Sequence, residues 1–537
     1  MCSYISLAIG SNSSGTDFVP ACANSYLLQT LVREYWGRPD ASHTSDCGAV
    51  SNMADANHYV RNYTYAAAAF LNGGADLNSE YTVPQNLPLA LELGLVNIST
   101  VEAAISRTLG HRIRAGLLDP FELQPPEFFE SGQADIGSAA SAQLVQDGVA
   151  QGIVMVRNDG VLPLKKGAKI ALLGPLGNCD RCLLGDYYAD EVCVTNDFSC
   201  VPTLSAALTA ANVGGSVDTV LGVSVQGNDS TWGAAIAAVA SADVVVLALG
   251  TDNNCAGEGT DLTDIGLPGV QSAFGKAVLA AAASASKKVV LLLVSIFPTS
   301  FDEIAAGPSS VVLLYAPGFG AAAVASSLFG DTNRWGRATM TIYPHAYQNA
   351  VSLFDFSMTP SATNAGRSYR YYDGSVGAPL VRFGQGVSYS TFSSACSGGF
   401  VPPGLDDIQI SCNVTSVAGP DGDQILQVYH RASADVIGRI GGAHPVPLLT
   451  LVGFERFAVP AGATVSGGAA SFQLRASEAL ALIDETGASV LYPGLHFLDV
   501  SDGGNFNQTI AIEVPGAVGA GKGLVVRRPP LPPTAST

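Results

Sequence analysis

Four apolar runs in the middle of the chain place the strongest constraint on its fold. They are residues 170–173, 244–249, 289–294 and 311–314, and Ala-rich segments of helical character alternate with them. An uninterrupted apolar run is typical of a strand that is buried on both faces. Strands that alternate with helices at this spacing predict a mostly parallel sheet covered by helices, over residues 138–345.

Composition and charge exclude several classes of protein. The chain has 537 residues, of which 47% are hydrophobic and 13% charged, and this indicates several globular domains with ample core. A net charge of -19 offers no basic surface for nucleic acid. Lys287 and Lys288 interrupt the longest apolar stretch, so we expect no membrane span. No G-x-G-x-x-G motif follows a strand and opens a helix, which disfavours a nucleotide-binding domain.

The acid Asp46 stands near the start of the chain at the end of a short extended segment, two residues before Gly48. Apolar residues recur at helical spacing before it, over residues 27–36, and an Ala-rich run follows at residues 65–71. This order predicts helix, strand, helix, with Asp46 in the loop. In barrels of parallel strands such a loop carries the chemistry, although an acid there is also a common helix cap or turn former.

A second acid, Glu258, lies between two glycines in the loop that follows the apolar run 244–249. Open α/β sheets bind ligands at the carboxyl ends of their strands, so Glu258 is a candidate catalytic group. Asp252, Asp261 and Asp264 lie nearby, and a solvated acidic loop is an equally good interpretation. The acids do not follow the spacing of an EF-hand calcium loop.

Five tracts together resemble family 3 of the glycoside hydrolases, nearest to its β-xylosidase branch. They are Met1–Tyr4, 19–24, Ser45–Cys47, Gly74–Asn78 and the long loop from Gly250 to Gln271. The resemblance implies that Asp46 is the nucleophile, that Glu258 is the general acid/base, and that Met1 and Tyr4 line the substrate pocket. It implies no cofactor and no metal. One departure is Leu262, since the family usually has arginine after the aspartate that Asp261 matches.

Two such carboxylates are sufficient to hydrolyse a glycosidic bond. Because the family is retaining, we expect the carboxyl groups of Asp46 and Glu258 to lie about 5–5.5 Å apart. Glu258 is expected in the less polar setting, with a raised pKa. The predicted activity is that of an exo-acting β-xylosidase on xylo-oligosaccharides. β-Glucosidase, α-arabinofuranosidase and an inactive carbohydrate-binding protein remain alternatives, as does an unrelated α/β ligand-binding protein.

The resemblance also divides the chain into domains. We predict the carboxyl-terminal part of a (β/α)8 barrel at residues 1–122, a linker at 123–137, an α/β sandwich at 138–345, a connecting segment at 346–399, a fibronectin type III-like β-sandwich at 400–515 and a flexible tail at 516–537. A capping-box pattern at residues 99–102 predicts a helix with Val101, Ile105, Leu109, Ile113 and Leu117 on one face. Short strands are predicted at 408–414, 424–429, 448–457 and 495–500.

Because the tract that Met1–Tyr4 matches lies late in the family's barrel, we expect this chain to lack most of the barrel strands. We then expect a fragment, the product of a mis-started gene model, or half of a split enzyme. A homo-oligomer or a partner that supplies the missing barrel half is an expected consequence, since an open barrel exposes strand edges and apolar surface.

Several features indicate a secreted glycoprotein, although Met1–Tyr4 lacks the basic region of a signal peptide. Six Asn-x-Ser/Thr sequons occur, at Asn12, Asn62, Asn97, Asn228, Asn413 and Asn507. Four cysteines cluster at positions 179, 182, 193 and 200. Disulfides in an extracellular loop are favoured there over a zinc site, because only the first pair has Cys-x-x-Cys spacing.

Overall fold

The computed structural model describes residues 1–8, 18–130, 132, 135–188, 192–229, 232–504, 506–516 and 523–527. They divide into two compact units. The first contains Met1–Ile136 with Glu485–Ser489 and the chain end from Arg527, and the second contains Gly137–Asp484 and Val490–Val526. No helix in these described ranges has the length and apolar character needed to cross a bilayer.

The first unit consists mainly of helices. Its α-helices are α1 Asn52–Asp55, α2 Tyr63–Gly73, α3 Thr82–Glu92, α4 Ile98–Arg114 and α5 Glu127–Glu130, and a π-helix spans Tyr26–Tyr35. Strands β1 Ser6–Ala8 and β2 Phe18–Pro20 form a short antiparallel pair. A disulfide joins Cys2 to Cys22. The core of the unit is the Ala-rich face of α2, around Phe70 and Met53, which are both fully buried.

Three extended segments lie side by side and parallel in this unit. Cys2 bridges Ser45, and Thr44 bridges Leu77. The Ser45 N–H donates to the Leu77 carbonyl at 2.8 Å, and the Asp46 N–H donates to the Cys2 carbonyl at 2.8 Å. The middle segment therefore ends at Asp46, between the π-helix and α2 in the chain. This confirms the predicted order of helix, extended segment and helix.

The carboxylate of Asp76 fixes the alignment of these segments. It is fully buried, and it binds Arg33 of the π-helix and Arg107 of α4, each at 2.7 Å. It also accepts the N–H of His43 at 2.7 Å, so it holds the start of the segment that ends at Asp46. Burial beside Arg33 lowers the pKa of the His43 imidazole, which favours its neutral form.

Two sequence expectations in this unit need correction. The segment before Asp46 is a π-helix, whose wider turn places Leu28 and Arg33 on the same buried side, while Trp36 is half-exposed. Helix α4 begins at Ile98 with Asn97 as its N-cap, so the predicted capping box at 99–102 lies inside the helix. Of the predicted face only Val101 is buried, because Arg107 turns the neighbouring side of the helix toward Asp76.

A six-stranded sheet forms the centre of the second unit. Its strands are β3 Val154–Asn158, β4 Lys169–Leu173, β5 Ser216–Val220, β6 Val244–Gly250, β7 Lys288–Val294 and β8 Ser310–Leu313, in the order β3-β8-β7-β6-β4-β5. All neighbours are parallel except β3 and β8. The mostly parallel sheet that the four apolar runs predict is confirmed.

Helices cover both faces of this sheet. They are α6 Ala139–Gly152, α7 Leu204–Ala211, α8 Gly233–Ser241, α9 Gln271–Ser284 and α10 Ala321–Leu328. Alternate residues of β6 enter two separate cores: Val245 and Leu247 pack with α8 and α9, whereas Val246 and Ala248 pack with α7 and α10. The period of two along a strand thus accounts for a layer of helices on each side.

Two antiparallel sheets follow the six-stranded sheet in the chain. One joins β9 Thr391–Phe400, β10 Asp407–Ala418, β13 Thr464–Val465 and β14 Ser471–Arg475, and the other joins β11 Gly422–Ala432, β12 Thr450–Val459, β17 Gly494–Ser501 and β18 Asn507–Val514. Residues of both sheets share one core, which includes Ile410 and Val428. Short helices α11 Ser368–Tyr371, α12 Ala434–Ile440 and α13 Ala476–Ala479 lie before and between the strands.

Two boundaries differ from the sequence expectation. The antiparallel part begins at Thr391, within the predicted connecting segment, because β9 pairs along most of β10 and a disulfide joins Cys396 to Cys412 across them. Where a flexible tail was expected, β19 Leu524–Arg527 forms a small sheet with β16 Ser489–Leu491 and β15 Leu482–Ile483. Residues 517–522 and 528–537 of that tail lie outside the described ranges.

Two arginines, the half-buried Arg456 and the buried Arg337, join the two parts of the second unit. Arg456 of β12 binds Asp423 at 3.0 Å and the carbonyl of Gln151 in α6 at 2.9 Å. Arg337 donates to the Asp502 carbonyl at 2.6 Å and to the Gln424 side chain at 3.1 Å. Burial lowers the pKa of Arg337 to about 10, which still leaves it charged at neutral pH.

A pair of buried histidines lies in the second antiparallel sheet. His430 of β11 and His496 of β17 are hydrogen-bonded through their ring nitrogens at 2.9 Å, and His496 also contacts the Tyr492 carbonyl at 2.9 Å. Burial, with His496 and Arg431 nearby, lowers the pKa of His430 to about 3. Burial also lowers the pKa of His496.

We expect Asp76→Asn to destabilise the chain by about 3–5 kcal/mol, because it leaves the buried Arg33 and the half-buried Arg107 without their counter-ion. Urea unfolding measures the loss. Asp40→Asn is the matched control: its ion pair with Arg114 is exposed, with 60% and 54% of the two side chains accessible, so the change should be below about 1 kcal/mol. Equal effects of the two substitutions would refute the role given to Asp76.

Acid should destabilise the second unit through His430. Its pKa is about 3 when folded and about 6.5 when unfolded, so the unfolded chain binds the extra proton between these values. The stabilisation is therefore complete above pH 6.5 and is lost as pH falls toward 3. Between pH 7.5 and 5 we expect His430→Gln to remove about 2 kcal/mol of the pH dependence of unfolding.

The control for this titration is His58→Gln, because His58 is exposed. Urea unfolding of this variant, of His430→Gln and of the parent chain is compared at pH 7.5, 6 and 5. If the free energy of unfolding changes equally with pH in His430→Gln and in the parent, then His430 does not take up the expected proton on unfolding.

Candidate functional site

Asp46 lies at the carboxyl end of the middle parallel segment of the first unit. Its N–H is held by the Cys2 carbonyl, and its Oδ1 accepts the N–H of Cys47 at 2.9 Å. Its side chain is half-buried. The turn that follows needs Gly48, whose φ of +77° lies in the left-handed region. The carboxylate is thus fixed at a segment end, as a nucleophile requires, and is not sealed in the core.

The structure brings Tyr4 to the same loop. Its hydroxyl donates to the Cys47 carbonyl at 2.5 Å, and its ring lies 3.9 Å from where a Cβ on Gly48 would stand. Met1 begins the neighbouring parallel segment and is 81% exposed. Of the two predicted pocket residues, Tyr4 therefore contacts the loop that carries Asp46, whereas Met1 presents an open side chain.

The next parallel segment supports the Asp46 loop. The Ser45 hydroxyl oxygen accepts hydrogen bonds from the Asn78 side chain at 3.1 Å and from the Ser79 N–H at 3.0 Å. Glu80 accepts the N–H groups of Val50 and Ser51 at 2.9 and 3.1 Å. Glu80 is not among the residues predicted from the sequence. The only signal was its position, two residues after the tract at Gly74–Asn78.

In the second unit, Glu258 stands at the tip of a two-residue turn. Gly257 and Thr260 exchange backbone hydrogen bonds at 3.1 Å, and Gly259 has a φ of +75°. The turn belongs to the loop after β6, at the carboxyl end of a parallel strand, as predicted. Glu258 itself is exposed. On this loop Glu258 therefore does not have the less polar surroundings that we expected for it.

Asp186 holds the turn in place. Its Oδ2 accepts the Glu258 N–H at 2.6 Å, and a Cβ on Gly257 would lie 2.9 Å from its Oδ1. Asn253 also donates to the Gly185 carbonyl at 2.9 Å, so two hydrogen bonds join the loops after β4 and β6. Asp186 is likewise not among the residues predicted from the sequence. The parallel pairing of β4 with β6 could have indicated it, since their following loops leave the sheet at one edge.

Gln271 closes the loop that carries Glu258. Its fully buried carboxamide accepts the Gly250 N–H at 2.9 Å and donates to the Gly250 carbonyl at 2.8 Å. Gly250 ends β6 and Gln271 begins α9. The two ends of the loop, residues 251–270, are therefore joined by one side chain.

A histidine from outside the loop anchors it. At position 262 of this loop the family usually has an arginine. His345 binds Asp264 at 2.7 Å, and Gln348 accepts the Ile265 N–H at 3.0 Å. Partial burial acts to raise the pKa of Asp264, but the Gly266 N–H and His345 outweigh it and lower that pKa. Leu262 therefore does not leave the loop without an anchor. A cleft of about 610 Å³ lies against this side of the loop, lined by Thr260, Asp264 and His345 among others.

The clustered cysteines form disulfides, as expected. Cys179 pairs with Cys182 and Cys193 pairs with Cys200, and both bonds brace the loop that carries Asp186. Four disulfides are formed in the described residues, so the cysteines that they join have no thiol with which to bind a metal. Within the described ranges, no three His, Cys, Asp or Glu side chains are grouped so that they could hold a metal ion.

Comparison with known proteins gives a family match and a set of relatives. Residues 153–389 match the model of the glycosyl hydrolase family 3 C-terminal domain. A probable exo-1,4-β-xylosidase of Aspergillus flavus is 32% identical over 94% of this chain and 63% of its own length. A second, from Neosartorya fischeri, is 32% identical over 96% of this chain and 65% of its own length. A third, from Aspergillus fumigatus, is 31% identical, with 99% and 67% covered.

Solved structures share the fold. A GH3 exo-β-xylosidase in complex with a xylobiose aziridine probe superposes with a TM-score of 0.80 at 24% identity, over 96% of this chain and 66% of that one. A β-glucosidase from Listeria innocua in complex with glucose gives a TM-score of 0.76 at 25% identity, over 93% and 66%. This chain spans less than two thirds of the length of the Aspergillus flavus and Neosartorya relatives. It belongs to glycoside hydrolase family 3.

Proposed function

We propose that this chain carries the two catalytic acids of a retaining, exo-acting β-xylosidase that releases terminal sugars from xylo-oligosaccharides. The observation that carries the proposal is the position of Asp46, whose carboxylate is fixed at the end of the middle of three parallel segments. The names of the relatives, exo-1,4-β-xylosidases at about 32% identity, support the substrate class.

The proposed chemistry has two steps. In the first, the Asp46 carboxylate attacks the anomeric carbon, and Glu258 gives its proton to the departing glycosidic oxygen, so a glycosyl ester on Asp46 and a free alcohol result. In the second, Glu258 takes a proton from water, whose oxygen attacks the same carbon and releases Asp46. Both steps require the two carboxyl groups to lie about 5–5.5 Å apart when substrate is bound, which stays a prediction.

The roles proposed for Tyr4 and Met1 follow from the contacts and the exposure of these two residues. Tyr4 is proposed to hold the turn after Asp46 through the Cys47 carbonyl and to present its ring to the sugar. Met1 is proposed to line the pocket as an apolar contact, and its exposure leaves its side chain accessible to a ligand. No cofactor or metal takes part in this mechanism.

The family's architecture extends the proposal to the whole fold. We assign the first unit to part of a (β/α)8 barrel, supported by its three parallel segments. Exposed apolar residues of α4, among them Ile105 and Ile113, are the surface that a further part of a barrel, a partner chain or a second copy would cover. The antiparallel pair of sheets with one shared core is assigned to a fibronectin type III-like domain.

We also propose that the protein is secreted and glycosylated. Four disulfides are typical of proteins that fold in an oxidising compartment. The asparagines of five of the six sequons are described residues, and each of these asparagines is exposed. The sixth, at Asn12, lies outside the described residues.

Two other activities have a supporting observation. The likeness to the Listeria β-glucosidase favours a β-glucosidase as the second candidate. The exposed position of Glu258 favours an inactive carbohydrate-binding protein as the third, since a general acid is most effective in a site from which water is excluded. An α-arabinofuranosidase stays open as a variant of the first.

Hydrolysis of aryl β-xyloside, aryl β-glucoside and aryl α-arabinofuranoside by the 537-residue chain separates these activities. We expect the xyloside to react fastest, and we expect Asp46→Asn and Glu258→Gln each to lower kcat at least about a hundredfold on an aryl xyloside with a poor leaving group. A better leaving group departs without a proton, so it should recover part of the rate in Glu258→Gln. It should recover none in Asp46→Asn, because the nucleophile itself is missing.

Asp55→Asn and Glu122→Gln serve as matched controls, since they make the same chemical changes elsewhere in the first unit. They should retain the parent rate. If the parent chain binds xylo-oligosaccharide but does not hydrolyse it, the proposed activity is wrong and the chain is an inactive carbohydrate-binding protein. If the aryl β-glucoside is cleaved faster than the aryl β-xyloside, the chain is a β-glucosidase.

A further inference from the structure

The second unit contains a cavity that the proposed hydrolysis does not use. It has a volume of about 590 Å³ and lies between the segment at residues 369–385 and the second antiparallel sheet. All residues that line it belong to the second unit, between Thr341 and Asn507. The volume is within the range of about 300–1,000 Å³ that is typical of small-molecule sites.

Aromatic rings form one wall of the cavity. Tyr369 and Phe383 are stacked with their ring centroids 4.1 Å apart, and Tyr429 meets both rings edge-on. Phe506 is a further aromatic lining residue, half-buried against the shared core of the two sheets. Flat, partly exposed rings pack well against the C–H face of a pyranose, which is apolar although its rim carries hydroxyls.

A buried amide in the cavity lacks a partner. Gln427 of β11 is 6% exposed and lines the cavity, and its Oε1 has no hydrogen-bond partner among the described residues. Gln427 and the hydroxyl of Tyr429 both converge on Gly384, where a Cβ would lie 2.6 Å from that Oε1 and 2.2 Å from the hydroxyl. Buried amide oxygens are almost always bonded, so the unpaired group indicates a missing donor.

The charges around the cavity favour a neutral ligand. Asp499 is already bonded to Arg431 at 3.0 Å and to the Thr509 hydroxyl at 2.5 Å. The remaining charged lining residues, Arg382 and Asp373, are exposed and of opposite sign. A polyhydroxylated ring supplies donors for Gln427, acceptors for Tyr429 and an apolar face for the aromatic wall, with no charge to neutralise.

We propose that this cavity is a second carbohydrate site, which binds a neutral pyranose ring without the participation of Asp46 or Glu258. Two sources can supply the ring. One is a free xylo-oligosaccharide, and the other is the chain's own N-glycan, because the sequon residue Asn507 is itself a lining residue and is exposed. The chemistry that the cavity recognises is the same for both.

Binding is measured on the full chain made without glycosylation, with methyl β-xyloside and xylotriose as probes in saturation-transfer NMR and calorimetry. Phe383→Leu removes a stacking ring, and Gln427→Leu removes the unpaired amide with little change of volume. Each should weaken the cavity's share of binding about tenfold or more. Gln473→Leu, an exposed position on β14, is the matched control and should bind as the parent does.

Thermal unfolding distinguishes a ligand-binding amide from a structural one. Because its Oε1 is unpaired, Gln427→Leu should unfold at the same temperature as the parent or higher. A lower unfolding temperature together with weaker binding would mean that Gln427 supports the fold, and Phe383→Leu then decides the proposal alone. Binding that neither substitution weakens overturns it.

Glycosylated chain from a secretory host identifies the source of the ring. If the Asn507 glycan fills the cavity, the glycosylated parent should show no Phe383-dependent binding of xylotriose, and Asn507→Gln should restore it. If free sugar is the ligand, both should bind alike. Absence of Phe383-dependent binding in every preparation overturns the proposal.

Aryl β-xyloside hydrolysis is followed on the same samples to separate this site from the catalytic one. The Phe383 and Gln427 variants should hydrolyse as fast as the parent. Hydrolysis without cavity binding overturns the second site alone, whereas cavity binding without hydrolysis overturns only the proposed activity.

Discussion

The first unit depends on the contacts made by the buried carboxylate of Asp76. It joins two arginines from different helices and the backbone of His43, so one negative charge aligns the extended segment whose end is Asp46. A buried ion pair of this kind contributes little net stability over an apolar core, but breaking it by removing one partner is costly, so the groups around Asp76 are held in one arrangement. The position of Asp46 is thereby specified by contacts made away from its own carboxylate.

The second unit holds Glu258 through its backbone and through contacts made by the surrounding loop. Glu258 is held through its N–H by Asp186, and the loop around it is fixed by the Gln271 carboxamide and by the contact between Asp264 and His345. None of these contacts uses the Glu258 carboxylate. The half-buried Arg456 joins the α/β layers to the antiparallel sheets, so this unit is continuous from α6 to β12.

The sequence predicted the elements better than the contacts between them. The runs at 244–249 and 289–294 identify buried strands because every residue in them is apolar, and that pattern is local. Asp186, in contrast, contacts Glu258 across 72 residues, and only the pairing of β4 with β6 brings them together. The π-helix escaped detection for another reason: its apolar spacing is that of an α-helix, and Arg33 turns inward because it binds the distant Asp76.

The double hydrogen bond of Gln271 has a consequence for how proteins with this fold can diversify. Since one side chain joins the last residue of β6 to the first turn of α9, the sheet and helix are coupled without help from residues 251–270. Loop closure costs rise only slowly with length, so residues can be gained or lost between these fixed ends at little cost to the fold. The segment that carries Glu258 can therefore change in length and sequence, and acquire new specificities, while the scaffold stays constant.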